Sequence, residues 1–340
     1  MFASTIRKVT DTLSMNPLNA AIDLCLHDMQ AVNQCIHANL KSDIMMIPAI
    51  GHYIINSGGK RMRPLMCLLV AKLFAYQGDR HIPLSVVVEF IHTASLLHDD
   101  VVDSSSQRRG NPSANGVWGD QASVLVGDYL FSRSFQMMVA DGDMTMLSLM
   151  ADVTNALAEG EVLQLSRTFH LEMNQDECLE VIERKTAVLF SAAAKVGAHV
   201  SSQSEAVVAN MAEYGMCLGV AFQLMDDALD YTSDEASAGK PVGHDLEEGK
   251  ITLPLIYAMH GDADLQQRVA DIAERDGVYL DGEREWVRDR VHLQDGAGKT
   301  IRMAQEYASR AKALLPEHGV NAEVLQLLKA LADFSASRPY

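Results

Sequence analysis

Apolar residues recur along most of the chain at the three- and four-residue spacing of amphipathic helices, and no strictly alternating run is strong enough to mark a sheet. The pattern predicts a first helix over Asn19 to Leu40 and a second, containing His52, that ends near Ser57-Gly58-Gly59. Pro64 falls in the first turn of a third helix running to about Tyr76. Pro83 opens a fourth, apolar from Val86 to Val102, and Asn111-Pro112 interrupts the loop that follows. Asp120 is placed to cap the next helix, to about Ala140, with further helices over 145–170, 176–200 and 204–231. Residues 232–250, rich in Gly, Ser, Asp and Lys, have no core face and read as a functional loop or lid. Shorter helices follow over 253–260, 262–275, 283–292, 297–315 and 321–336. No linker divides the chain and no repeat falls at solenoid spacing. The expectation is an all-α fold in one domain over residues 1–340, with the order of residues 1–15 left open.

The composition supports a large aliphatic core: of 340 residues 48% are hydrophobic and only 6% aromatic. A formal charge of −17 argues against a nucleic-acid or anionic-membrane surface, which needs clustered Lys and Arg. The five cysteines are scattered without a C-x-x-C pair, as in a reduced chain without a zinc site. No uninterrupted apolar run is as long as a membrane span and the N-terminus lacks a signal-peptide core, so a cytoplasmic protein is expected.

Chemistry concentrates where the apolar helices end. Leu96-Leu97-His98-Asp99-Asp100-Val101-Val102-Asp103 closes the fourth helix with three carboxylates and no basic residue. Asp99 and Asp103 are four apart and share a helix face, where they repel each other and resist desolvation unless a hard divalent cation sits between them. Alone, this motif could equally be a solvated acidic helix end. A second copy, Gln223-Leu224-Met225-Asp226-Asp227-Ala228-Leu229-Asp230, repeats the D-D-x-x-D spacing at the end of another apolar helix and makes chance a poor explanation.

Basic clusters complement the acidic ones. Ser57-Gly58-Gly59-Lys60-Arg61-Met62-Arg63-Pro64 combines a tight glycine turn with three cations at a helix start, suited to a diphosphate but lacking P-loop spacing. Gln107-Arg108-Arg109-Gly110 follows the first acidic motif, and Arg184-Lys185-Thr186 lies on an otherwise apolar helix. Gly239-Lys240-Pro241-Val242-Gly243-His244-Asp245-Leu246-Glu247-Glu248-Gly249-Lys250 follows the second motif. His92 shares a face with Asp99 two turns away; Glu89 and His92 also form an E-x-x-H, but no second copy exists to build a di-iron site. Two sets of metal-binding carboxylates, cations enough for two diphosphates and a long apolar surface together suggest an ionising phosphate ester with a greasy tail.

Taken in order, GGKRMRP, LLHDDVVD, QRRG, KTA, FQLMDDALDY and GKPVGHDLEEGKITLP resemble the trans-prenyl diphosphate synthase, or polyprenyl synthetase, family over residues 58–254. EFIHTASLLHDDVVD, SVLVGDYLFSRSFQMM and AEGEVLQL are most similar to the family's bacterial long-chain, octaprenyl branch. The resemblance implies an antiparallel helical bundle around a deep central cavity, a homodimer, and two or three Mg²⁺ ions. Its reaction couples isopentenyl diphosphate to an allylic diphosphate, farnesyl diphosphate in this reading. Carried over by motif, the catalytic set is Asp99, Asp100, Asp103, Lys185, Asp226, Asp227 and Asp230, with Asp99, Asp103 and Asp226 as metal ligands. Lys60, Arg63, His92 and Arg109 would bind isopentenyl diphosphate. Arg108, Lys185, Thr186, Gln223, Lys240 and Lys250 would hold the allylic diphosphate.

In this family the residues one and two turns before the first Asp bound the cavity, here Ile91, Ala94 and Ser95. Small Ala94 leaves the floor open, which with the resemblance implies a product of about eight isoprene units for quinone side chains. Phe131, Phe135 or Met138 could form a deeper stop. Four alternatives stand beside this expectation: a C15–C20 synthase, a class I terpene cyclase, a non-catalytic partner subunit and a metal-buffering helical protein. The second D-D-x-x-D and the extra cations Lys60, Arg63 and Arg109 argue against the cyclase, the retention of both acidic motifs against the partner subunit, and the basic clusters against the buffer.

Overall fold

The computed structural model describes residues 16–57, 59–108, 110–232 and 243–337. Helix α1 (Pro17–Leu24) starts two residues earlier than the pattern suggests, because the Asn16 side chain accepts from the Leu18 amide and Pro17 occupies the first turn. The single helix expected over Asn19–Leu40 is two: the backbone turns at Cys25, and α2 (Leu26–Asn39) follows. Then come α3 (Met46–Asn56), α4 (Met62–Leu73) and α5 (His81–Val102). A two-residue antiparallel ladder, β1 (Gln107–Arg108) with β2 (Asn111–Pro112), and the short α6 (Ala114–Trp118) fill a stretch where no element was expected. Next are α7 (Asp120–Asp141) and α8 (Met144–Ser166). Gly119, not Asp120, is the residue that precedes the first turn of α7.

The helix expected over 176–200 is interrupted. A capping box between Asn174 and Glu177 starts α9 (Gln175–Ile182), a π-helical turn occupies Glu183–Ala187, and α10 (Val188–Val200) continues. The remaining helices are α11 (Glu205–Thr232), α12 (His244–Glu247), α13 (Leu253–Met259), α14 (Ala263–Ala273), α15 (Glu283–Leu293), α16 (Gly296–Leu314) and α17 (Ala322–Ser335). By length and composition α11 could cross a membrane, which the sequence pattern did not single out; half of its apolar window is buried within the fold.

Two compact units emerge. The first comprises the described residues up to Thr154 with Leu189–Gly215 and Leu314–Leu331. At its centre α5 is apolar nearly all round: Val86, Val87, Val88, Phe90, Ile91 and Ala94 are inaccessible to solvent, as expected of a helix packed on several sides. It packs against α2, α4 and most extensively α7. Helix α10 approaches α4 so closely that a Cβ on Gly197 would lie 2.5 Å from the Cys67 carbonyl oxygen. The second unit comprises Asn155–Val188 and the described residues of Met216–Ala313 and from Ala332 on. In it α13 packs on α14 and α15, and α9 lies against the π turn.

Candidate active site

In the first unit, α5 delivers the first acidic motif at its C-terminal end. Asp99 and Asp103 are half-buried one turn apart, and the Asp103 amide donates to the Asp99 carbonyl at 2.8 Å. Asp100 points the other way. It is wholly buried, and Arg108 forks onto it, with Nε 2.8 and 3.0 Å from the two carboxylate oxygens and Nη2 2.6 Å from Oδ1. A carboxylate so enclosed anchors the ladder strand that carries Arg108. The Ser105 amide and Asn115 Nδ2 fix the same turn by donating to the Asp100 carbonyl.

Lys60, Arg61 and Arg63 lead into α4. Arg61 holds a left-handed backbone (φ 47°), a strained conformation for a non-glycine residue and one that recurs at functional turns. Lys60 is exposed, whereas Arg63 is half-buried, stacked over the Phe190 ring at 4.5 Å and 2.9 Å from His92 Nε2. Arginine has only donors, so in this contact His92 Nε2 accepts. One turn or less from His92, Ile91 and Ala94 are buried, and Ser95 Oγ donates to the His92 carbonyl at 2.8 Å. On α7, Met138 is buried, Phe131 half-buried and Phe135 36% exposed.

The second unit contains a cavity of about 140 Å³ lined by Lys185, Thr186, Gln223, Asp227, Asp245 and Lys250, among others. The π turn sets its basic wall. Lys185 Nζ bonds Glu161 Oε2 at 2.7 Å and Gln164 Oε1 at 2.5 Å. Gly160 lets α8 approach the backbone of the π turn, since a Cβ there would meet the Lys185 backbone nitrogen at 2.9 Å. Thr186 Oγ1 donates to Gln223 Oε1 at 3.1 Å, and Gln223 Nε2 donates to Asp227 Oδ1 at 2.9 Å. The amides of His244 and Asp245 both donate to the Asp230 carboxylate, at 3.2 Å each. Lys250 Nζ lies 2.5 Å from Glu248 Oε2.

The carboxylates here are crowded, and Asp227 is buried. Burial, reinforced by Asp226 and Asp230, pushes Asp227 up to about 7 despite its bond from Gln223. Burial also raises Asp230 and, more strongly, Asp245. Glu248 goes the other way: burial opposes ionisation, but His244 and Lys250 pull it down to about 2.

The polyprenyl synthetase family model matches residues 45–281. The chain belongs to the polyprenyl synthetase family. It is 42% identical to octaprenyl diphosphate synthase of Haemophilus influenzae, over 98% of this chain and 100% of the relative. It is 41% identical to octaprenyl diphosphate synthase of Escherichia coli, over 83% and 91% of the two chains. Among solved structures, polyprenyl synthase from Caulobacter crescentus, complexed with calcium and isoprenyl diphosphate, superposes with a TM-score of 0.89 at 40% identity, covering 94% of this chain and 98% of that one. The all-α fold expected from the helical pattern is therefore the fold of this family, and the chain is a prenyltransferase of the polyprenyl synthase type.

Within the polyprenyl synthetase frame, the structure gathers Lys185, Thr186, Gln223, Asp227 and Lys250 around one cavity. It pairs Arg63 with His92, and Arg108 with Asp100. Asp226 is exposed and Asp230 half-buried. Arg109, Lys240 and residues 1–15 lie outside the described residues, as does most of the expected lid. Its described end, residues 243–250, contains the short helix α12 between left-handed Gly243 and Gly249. Sequence reasoning did not assign Glu161, Gln164 and Asp245 to the site. The signal was present: Glu161 and Gln164 are one turn apart beside a glycine, and Asp245 is an acid flanked by turn glycines.

The donor set suits magnesium. Asp99, Asp103 and Asp226 offer accessible carboxylate oxygens, and the buried Asp227 and the half-buried Asp230 beside Asp226 are pushed toward protonation, which a hard cation nearby would relieve. Among the described residues no three His, Cys, Asp or Glu side chains form a ready-made metal cage. An ion held by one or two carboxylates, phosphate oxygens and water needs none.

Proposed function

We propose that this protein elongates farnesyl diphosphate with isopentenyl diphosphate to an all-trans octaprenyl diphosphate destined for quinone side chains. In this reading residues 1–340 act as one functional domain of a cytoplasmic homodimer. The observation that carries it is the 42% identity along the full length of an octaprenyl diphosphate synthase. Every expected acidic and basic motif is retained as well.

The residues then divide the work. Lys185, Thr186, Gln223 and Lys250, with Arg108 and Lys240, hold the allylic diphosphate, whose negative charge grows as its C–O bond breaks. Lys60, Arg63, His92 and Arg109 orient isopentenyl diphosphate so that its double bond attacks the allylic carbon. The new C–C bond leaves a cation that loses a proton to the departed diphosphate, so no protein base is required. Two or three magnesium ions on Asp99, Asp103 and Asp226 would supply the remaining positive charge toward the leaving group. Asp100 and Asp227 support from behind, Asp100 by fixing Arg108 and Asp227 by fixing Gln223. Buried Ile91 and Ala94 wall the apolar path of the growing chain and exclude water that would quench the cation.

The test is a product assay with magnesium, farnesyl diphosphate and labelled isopentenyl diphosphate, with chains sized by mass spectrometry. A dominant octaprenyl product is expected. Products stopping at C15–C20 would assign the protein to the short-chain synthases. No incorporation, with an Asp99→Ala variant equally silent, would overturn the catalytic reading in favour of a partner subunit.

A further inference from the structure

Lys250 reaches the cavity from the segment Gly243–Lys250, whose one large apolar side chain, Leu246, is buried, and that segment is held from outside the cavity as well. Tyr279 Oη donates to the Gly243 carbonyl at 3.0 Å. Arg284 stacks over the Tyr279 ring at 4.4 Å and donates to Glu247 Oε2 at 3.0 Å. Gly277, at φ 81°, packs so tightly that a Cβ would lie 2.2 Å from the Glu247 carbonyl oxygen. From Glu247 the contacts run inward without a break. Glu247 Oε2 is 3.1 Å from His244 Nδ1, His244 Nε2 is 3.1 Å from Glu248 Oε1, and Glu248 Oε2 is 2.5 Å from Lys250 Nζ. The Lys250 amide closes the loop by donating to the Asp245 carbonyl at 2.8 Å.

With a carboxylate at each ring nitrogen, His244 donates from both and holds the two glutamates in fixed orientations. The ammonium of Lys250 is thereby steered by a chain of charges whose outer end is Arg284. A cation on a short glycine-bounded segment would otherwise sample many rotamers, and ordering it on binding would reduce affinity. Fixing it beforehand is preorganisation.

We propose that Tyr279 and Arg284 are positioning residues that brace Gly243–Lys250 from outside and so aim Lys250 at the allylic diphosphate. The assignment rests on the function proposed above for its substrate; the brace itself rests on the contacts. Neither residue lines the cavity.

The full-length protein is tested as Tyr279→Phe, Arg284→Ala and Arg284→Lys. Steady-state kinetics with both substrates is combined with melting temperature and amide hydrogen exchange of residues 243–250. In Arg284→Ala, KM for the allylic diphosphate is expected to rise about fivefold, with kcat and KM for isopentenyl diphosphate within about twofold of wild type. Exchange in 243–250 quickens, melting is unchanged, and Arg284→Lys recovers most of the KM because it restores a cation beside Glu247. Tyr279→Phe shifts the same parameter to a smaller degree. An unchanged allylic KM in Arg284→Ala overturns the proposal, as does a parallel fall in both substrate affinities together with melting, which marks ordinary packing. If wild-type protein does not elongate, the functional reading has failed by itself. Affinity for inorganic diphosphate with magnesium then decides the brace: weaker binding in Arg284→Ala sustains it and equal binding overturns it.

Discussion

Lys185 is the cation whose surroundings are most completely built. Its ammonium is held by Glu161 and Gln164, so its position is set before substrate arrives and little reorganisation opposes the developing charge. Lys185→Gln keeps the length and a donor but removes the charge; kcat is expected to fall about a hundredfold with melting little changed, measured in the elongation assay. Asp100 predicts a different signature. Asp100→Asn leaves Arg108 beside a neutral amide and removes the charge from a buried pair, so both stability and turnover drop together. Ala94 concerns product, not rate. Its side chain is buried on the α5 face that precedes Asp99 by just over one turn. Ala94→Phe is therefore expected to shorten the chains to C15–C20, and an octaprenyl product from that variant would show that the floor lies elsewhere.

Helices α9 and α10 show what a helical pattern conveys and what it conceals. The apolar periodicity of residues 176–200 was legible as helix, and so were nearly all the long helices, because a buried face demands its spacing whatever the tertiary context. The π turn at Glu183–Ala187 was not, since one extra residue in a turn shifts the periodic face by too little to read. Yet that residue aims Lys185 and Thr186, in keeping with the tendency of π turns to lie at functional sites. The break at Cys25, the two-residue ladder and α6 escaped for a related reason: each is set by local hydrogen bonds and not by a repeating apolar stripe. The acidic motifs, by contrast, were fully legible as D-D-x-x-D, although only the structure separates Asp100 and Asp227, which brace neighbours, from the more accessible Asp99, Asp103, Asp226 and Asp230. Gly160 tests the element directly. Gly160→Ala drives a methyl to 2.9 Å from the Lys185 backbone nitrogen and the Arg184 Cβ. The expected cost is about 1–3 kcal/mol of stability with a loss of activity greater than that alone explains, checked by denaturant unfolding beside the assay.

At the scale of the whole molecule, acidity and burial make stability depend on pH and ligand together. The Asp227 carboxyl stands near 7 when folded against an ordinary value of 3.8, and Asp230 and Asp245 are raised as well. A carboxyl raised by folding favours the native state while it is protonated. Its contribution is complete below about pH 3.8 and is lost as pH climbs through about 7 for Asp227. Other groups move oppositely: burial lowers His52 and His81, whose charging on acidification destabilises the fold. The net melting curve of the free protein therefore mixes signs, but the increment given by a ligand does not. Magnesium with inorganic diphosphate competes with protons for the carboxylates of the second motif, so its binding is tighter where those carboxylates are ionised. The gain in melting temperature on adding both is expected to be larger at pH 8 than at pH 6, and chelation of the metal should abolish the difference. Asp226→Asn with Asp230→Asn should flatten the pH dependence while leaving a smaller, pH-independent gain from the basic side chains. Equal gains at the two pH values in the unmodified protein would mean that these carboxylates do not hold the metal, and that the cations around Lys185 and Lys250 carry the diphosphate without them.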